Sequence, residues 1–324
     1  MVGDFEVGIF VEDWQATYGA PYLVVADDPG DQRVELIEDG NQLRCRDALS
    51  HNPGLPIAFV DGVRRGEAAL YQQDDATGVI ARGVAGSHAC GAVLADSGHI
   101  EFSHERVQRL VIWGCGLDGE LSEIAGGWSW TTRSVASNEP DAPLKEIQQR
   151  MRQAEGMLAE NLCEAGHLVL VDGPLNYVRS RDLPVVGYVK THHRALLDPD
   201  HHRLIPGLRP GQRTSLFRLR DDRYSCYTRL TPASQLSGPW AGIVRLEIPQ
   251  SPGLVAAARV ADQVAAAIPR YAGVPHRDPR APQNLQPIGA LETHLRHLLG
   301  DPGLAYRAVR EAVANSLLPQ EART

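Results

Sequence analysis

The 324-residue sequence lacks the features that mark several specialised classes of protein. It has no apolar run of about 18 residues and no basic-then-apolar leader, so neither a membrane-spanning helix nor a signal peptide is indicated. Its five cysteines are scattered and never form a CxxC pair, which argues against a disulfide framework and against structural zinc. Internal repeats and low-complexity segments are also absent. We therefore expect a cytoplasmic globular protein with no membrane association.

An overall excess of positive charge is missing as well. The formal net charge is −8, the wrong sign for a protein that finds nucleic acid by overall attraction. The charge is nevertheless uneven, because residues 1–60 carry a net −8 and residues 177–229 a net +6. Such a basic block is either a solvated face of the protein or a phosphate-binding channel. Composition alone leaves both interpretations open.

The apolar pattern predicts a mixed α/β fold. Residues 55–63, "LPIAFVDGV", and 167–175, "HLVLVDGPL", have the pattern of buried strands, and the segments after the first suit antiparallel neighbours. Residues 143–166 are typical of a helix that stops at a glycine. Strands, a helix, further strands and late helices in this order predict a mixed β-sheet flanked by helices. We divide the chain into an acidic N-terminal appendage, 1–50, and a main domain, 51–324, with a proline-rich loop at 271–286.

Both buried strands lead into an Asp-Gly pair, at Asp61 and Asp172. Asp-Gly alone is chiefly a turn signal. In the helix, however, Glu155 follows Met151 by four residues and shares a face with Met151 and Leu158. A buried carboxylate must be paired or must bind a cation, and an arginine and a metal ion both remain open as its partner. If the two strands lie side by side beneath the helix, three carboxylates converge and favour a pair of Mg²⁺ or Mn²⁺ ions of the kind that hydrolyses phosphodiesters.

Five segments resemble, in this order, the motifs of a known family. They are "FVDGVRR" (59–65), "RMRQAEGMLAENL" (150–162), "LVLVDGPL" (168–175), "VVGYVKTH" (185–192) and "DPRAPQNLQPIGALETHLRHLLGD" (278–301). The sequence resembles the NurA nucleases of archaeal and bacterial DNA-end processing, whose core is similar to ribonuclease H. The resemblance spans about residues 55–301. It implies a ribonuclease H-like mixed β-sheet flanked by helices, with N-terminal and C-terminal additions.

The resemblance also implies a set of site residues. By motif match, Asp61, Glu155 and Asp172 bind Mn²⁺, with Mg²⁺ as the other candidate and two ions in the site. A histidine near the end of the fold matches His294, although His297 and Asp278 are alternatives. Six further residues are expected to contact phosphate or to line a channel for the DNA strand, and one of them, Lys190, is also expected to stabilise transition-state charge. These residues are Lys190, Arg64, Arg65, Tyr177, Arg179 and Arg181.

The implied function is a metal-dependent DNA nuclease. The resemblance suggests a 5′–3′ exonuclease, with single-strand endonuclease activity as a further expectation, acting in DNA end resection and double-strand break repair. It further implies a homodimer that works with a HerA-type hexameric ATPase. Two other functions remain open: a non-catalytic adapter of the same fold that grips DNA or docks an ATPase, and a phosphoesterase of small molecules.

Overall fold

A computed structural model describes residues 34–40, 42–48, 56–73, 78, 80–96, 98–124, 126–179, 182, 184–192, 195–219, 223–232, 238–274, 276–278 and 280–317. Most of the predicted N-terminal appendage, 1–50, lies outside these residues. None of the helices described is both long and apolar enough to cross a membrane.

Within these ranges the chain forms one sheet of twelve strands and five α-helices. The strands are β1 (Glu35–Leu36), β2 (Cys45–Asp47), β3 (Ile57–Gln73), β4 (Ile80–Asp96), β5 (His99–Trp113), β6 (Thr131–Ser134), β7 (Leu168–Asp172), β8 (Val185–Val189), β9 (Gln212–Thr214), β10 (Phe217–Leu219), β11 (Arg223–Arg229) and β12 (Ile243–Pro249). The helices are α1 (Ala142–Glu164), α2 (Pro199–His202), α3 (Leu254–Ala267), α4 (Gln286–Leu298) and α5 (Pro302–Leu317).

The centre of the sheet has the order β5-β4-β3-β7-β8. Strands β3, β4 and β5 form the antiparallel meander that the alternating segments predicted. After α1, β7 pairs parallel to β3, and β8 pairs parallel to β7. Strand β12 then adds antiparallel to β8 and leads to β11 and β10. The predicted mixed α/β sheet flanked by helices is confirmed.

Helices cover both faces of the sheet because successive strand residues point to opposite sides. Val60 of β3 packs into a cluster with Leu158 of α1, whereas its neighbour Phe59 packs into a cluster with Leu291 of α4. All four side chains are buried. Each such burial contributes roughly 1.5–3 kcal/mol. Helices α1 and α4 are therefore held on opposite faces of β3.

Several element boundaries differ from the prediction. Strand β3 does not end at Asp61 but continues to Gln73, because β4 pairs with it over nearly its whole length. The turn preference of Asp-Gly is realised only at the second site, where Gly173 has φ 100° and donates its N–H to the Tyr188 carbonyl. Helix α5 and strand β6 were not predicted.

Within the described residues, three arginines of the basic block pair with acids of the acidic block. Arg213, which is fully buried, binds Glu38 through both terminal nitrogens at 2.7 and 2.8 Å and Asp262 at 2.6 Å. Arg229, also buried, donates to three backbone carbonyls. For these two arginines both interpretations of the basic block, solvated face and phosphate channel, were wrong. Further pairs between the two blocks are Arg218 with Glu35 and Arg209 with Asp47.

Candidate metal centre

Two adjacent parallel strands bring Asp61 and Asp172 together. The register of β3 and β7 pairs Val60 with Val171, so the two aspartates occupy the next position on neighbouring strands. The two-residue period places them on the same face as Phe59, which is the face covered by α4. Asp61 is buried and Asp172 is half-buried. The condition stated from the sequence, that these two strands lie side by side, is met.

The third acid of this group is Glu292 of α4, which the sequence analysis missed. Carboxylate oxygens of Asp61, Asp172 and Glu292 all lie within 4.8 Å of one another. Glu292 is only 5% exposed. A signal for it exists, because Glu292 follows the buried Ile288 by four residues and precedes the buried Leu295 by three. The same spacing drew attention to Glu155 in α1.

Glu155 approaches the two aspartates from the other face of the sheet. It is 1% exposed, and its Oε1 lies 2.4 Å from where a β-carbon on Gly62 would stand. Gly62 is the neighbour of Asp61 and faces α1 because side chains alternate along β3. Glu155 is therefore near the site but is not one of the three acids whose oxygens lie within 4.8 Å.

Four cations pair with the acids at this site: Arg152 with Glu155 at 2.9 Å, Lys190 with Asp172 at 2.8 Å, and both Arg280 and Arg296 with Glu292, at 2.8 and 3.2 Å. None of the ion pairs found among the described residues includes Asp61. Among the described residues, Asp61 thus has no cation of its own in direct contact.

The segment before α4 links two of these cations. Asn284, 1% exposed, accepts a hydrogen bond from Lys190 Nζ at 2.9 Å and donates one to Asp278. Asp278 in turn accepts from Arg280, which also donates to Glu292. Asp278, an alternative metal residue in the sequence prediction, thus orients two neighbours of the site.

The electrostatics of the cluster follow from burial and crowding. Burial raises the pKa of Asp61 well above its usual value, and the charges of Asp172, Glu155 and Glu292 raise it further. Burial also raises the pKa of Glu155, although Arg152 opposes it. For Glu292, burial is outweighed by the hydrogen bond from Arg280 and by the charges of Lys190 and Arg280, so its pKa is lowered.

Two buried oxygens of the cluster have no hydrogen-bond partner among the residues described: Glu155 Oε1 and Asp172 Oδ1. A buried acceptor without a partner costs about 1–3 kcal/mol, and more if it is charged. Hard divalent cations such as Mg²⁺ prefer carboxylate oxygens. The acids of this centre therefore fit a bound divalent ion better than they fit the protein cations alone.

His294 does not join the three acids. Its Nε2 lies 3.0 Å from Glu105 Oε1, and its ring stacks on Phe102 with the centroids 4.2 Å apart. Both partners belong to β5, so His294 faces that strand while Glu292 faces Asp61. The alternative, His297, is exposed on α4.

The predicted phosphate-binding residues are in varied surroundings. Arg64 donates to the side chain of Gln148. Arg65 binds the carbonyls of Gly300 at 2.7 Å and Leu299 at 3.0 Å, where a cation stabilises the C-terminal end of α4. The remaining members are Tyr177, 37% exposed, Arg179, also exposed, and Arg181, which lies outside the described residues.

Comparison with solved structures finds matches among nucleases. The NurA nuclease from Sulfolobus solfataricus matches with a TM-score of 0.44 at 12% identity, over 83% of this chain and 86% of that one. The catalytic domain of human endonuclease V matches with a TM-score of 0.33 at 15% identity, over 78% and 92%. Endonuclease V from Bacillus subtilis matches with a TM-score of 0.32 at 13% identity, over 75% and 80%. No family model and no curated protein sequence matches the chain.

Proposed function

We propose that the protein is a divalent-metal-dependent nuclease that hydrolyses DNA phosphodiesters. The observation that carries this proposal is the convergence of Asp61, Asp172 and Glu292, with Glu155 close by and one oxygen each of Glu155 and Asp172 buried without a partner. Carboxylates crowded in this way repel one another unless cations neutralise them.

The residues of the centre have distinct roles in this proposal. Asp61 and Asp172 hold the metal, Glu292 joins them from α4, and Oε1 of Glu155 completes the site from α1. Paired divalent ions activate a water and stabilise the leaving oxygen of an in-line displacement at phosphorus. Lys190 orients the Asp172 carboxylate from 2.8 Å away. Its ammonium also reduces the repulsion that an anionic substrate meets.

The DNA substrate and the finer activity rest on the motifs that resemble the NurA family. On that basis we propose a 5′–3′ exonuclease of DNA ends that uses Mn²⁺, or Mg²⁺, and works as a homodimer with a HerA-type ATPase in break repair. His294, Arg64, Arg65, Tyr177, Arg179 and Arg181 remain proposed contacts of metal or DNA. Arg65 would first have to release the carbonyls at the end of α4.

Degradation of end-labelled DNA tests the reaction class. Wild type should release nucleotides in Mn²⁺ or Mg²⁺ but not in chelator, and Asp61→Ala should be inactive yet folded. Duplexes labelled at one 5′ or one 3′ end give the polarity. Cleavage that persists in Asp61→Ala would refute the site, and a wild type that binds DNA without cleaving it would favour the adapter. Hydrolysis of a nitrophenyl phosphodiester with no preference for DNA would favour the small-molecule phosphoesterase.

Sizing by light scattering tests the homodimer. Co-purification with the ATPase, followed by DNA degradation with and without ATP, tests the partnership. A monomer that degrades DNA equally well without the ATPase would contradict both proposals and leave the nuclease proposal intact.

A further inference from the structure

Arg152 of α1 lies at the metal centre but uses only one edge of its guanidinium there. Its Nη1 donates to Glu155 Oε2 and to the backbone carbonyl of Asp172, both at 2.9 Å. The second contact fixes the side chain beside the last residue of β7. The side chain is 31% exposed, whereas its partner Glu155 is 1% exposed. Nη1 is thus held against the acids, while part of the side chain is open to solvent.

A guanidinium has five N–H donors in a rigid plane. Both recorded hydrogen bonds of Arg152 use Nη1, and its Nε and Nη2 have no partner within the described part of the chain. Planar donor pairs of this kind match the oxygens of a phosphate. The outward donors of Arg152 therefore offer a phosphate contact beside the acids.

Arg213, whose contacts are all within the fold, is used differently. Arg213 is fully buried and donates from Nε, Nη1 and Nη2, to Asp262 and Glu38. Arg152 neutralises Glu155 through Nη1 alone, and the three N–H groups on its Nε and Nη2 make no hydrogen bond within the described part of the chain. Stabilising Glu155 does not by itself require that arrangement.

We propose that Arg152 is a catalytic residue that binds a non-bridging oxygen of the reacting phosphate. This inference rests on the nuclease function proposed above. In the reaction a water oxygen bonds to phosphorus, the ester P–O bond breaks, and the leaving oxygen takes up a proton, so that a phosphate monoester and a hydroxyl result. Arg152 transfers no proton. It stabilises negative charge on the phosphate through its outward N–H groups while Nη1 stays on Glu155 and Asp172.

The test compares Arg152→Ala and Arg152→Lys with Arg150→Ala. Arg150 lies on the same helix, pairs with Glu146, and is 40% exposed, so its loss is a matched control. DNA affinity is measured without cleavage, in Ca²⁺ or chelator, at several salt concentrations, and kcat and KM are measured in Mn²⁺. Calorimetric Mn²⁺ titration and melting curves report on the metal site and the fold.

Arg152→Ala should reduce the slope of log affinity against log salt by about 0.9 for duplex DNA, the value of one phosphate contact. It should also lower kcat about 10²- to 10³-fold, the cost of one lost charge-stabilising donor group. Arg152→Lys keeps a positive charge near Glu155 and should keep the slope, but without the planar donor pair its kcat should still fall. Arg150→Ala should match wild type.

If the slope of log affinity against log salt is unchanged in Arg152→Ala, and kcat falls only as Mn²⁺ affinity falls, the proposal is overturned. Arg152 would then serve only to hold the Glu155 carboxylate in place. Full recovery of kcat in Arg152→Lys at wild-type Mn²⁺ affinity would likewise exclude a planar phosphate contact. If wild type neither binds nor cleaves DNA, the nuclease function itself fails, and the wild-type control shows this before any variant is compared.

Discussion

Gly62→Ala tests whether Glu155 belongs to the metal centre. The new β-carbon would lie 2.4 Å from Glu155 Oε1, 2.9 Å from Met151 Cγ and 3.1 Å from the carbonyl oxygen of Ala89. The backbone on one side is fixed by the pairing of β3 with β4. We therefore expect the Glu155 carboxylate to be displaced, together with part of α1.

The cost should resemble that of overpacking a core, about 1–3 kcal/mol. In a domain of this size each kcal/mol lowers Tm by roughly 2–4 °C or somewhat less. Displacing the Glu155 oxygen should weaken Mn²⁺ binding at least about 10-fold. Losing a contact that only orients a metal ligand already lowers metal affinity by about this factor. Melting in chelator measures the first effect, and calorimetric titration with Mn²⁺ measures the second.

Gly66→Ala is the matched control, because it lies on the same strand and its β-carbon would meet Leu144 Cδ1 at an ordinary 3.6 Å. It should stay within about 0.5 kcal/mol of wild type and bind Mn²⁺ normally. If Gly62→Ala binds Mn²⁺ as tightly as wild type and Gly66→Ala do, Glu155 is not part of the metal centre.

Three further predictions concern single side chains. The pKa of Asp61 is raised in the folded protein, so ionisation of Asp61 destabilises the fold as pH rises through that pKa. In chelator at alkaline pH, Asp61→Asn should therefore melt at a higher temperature than wild type, and it should lose this advantage in Mn²⁺. A Tm that depends on pH in the same way in both proteins would contradict this prediction. Arg213→Ala should lower the free energy of unfolding, measured with denaturant, by about 3–5 kcal/mol, because it leaves buried carboxylates unpaired. Arg218→Ala, which removes an exposed pair with Glu35, should lower it by at most about 1 kcal/mol. Equal losses would show that the Arg213 ion pairs do not behave as buried pairs. Glu292→Gln should weaken Mn²⁺ binding in calorimetry more than His294→Ala does, because Glu292 lies with the two aspartates; the reverse order would favour His294 as the metal residue.

The positions of the two aspartates next to buried strand residues could be predicted from the sequence, because each aspartate follows a recognisable apolar run. The parallel pairing of β3 and β7 was only a condition at that point, because β4, β5, β6 and α1 separate the two strands along the chain. The buried position of Glu155 could be predicted because Glu155 interrupts an apolar stripe of α1. The register that sets Glu155 over Gly62, on the face opposite Asp61, depends on tertiary pairing and cannot be read from the helix alone.

The remaining parts of the centre depend on contacts between distant segments. Glu292 carried the same helical signal as Glu155, but the resemblance to the NurA motifs pointed to a histidine in that segment. Arg280 and Asn284 lie in a segment without periodicity, and only its packing against β8 brings Asn284 to Lys190. The basic block was misread because the partners of its arginines lie far away in sequence, as Glu38 does for Arg213.

A crystal structure with Mn²⁺, with data collected at the manganese absorption edge, tests the central claim most directly. An anomalous peak should lie about 2.1 Å from oxygens of Asp61 and Asp172, with Glu292 or Glu155 among the remaining ligands, and it should vanish in Asp61→Ala. Strong Mn²⁺ peaks elsewhere with none between these acids, at a concentration that supports DNA cleavage, would contradict the proposed metal centre.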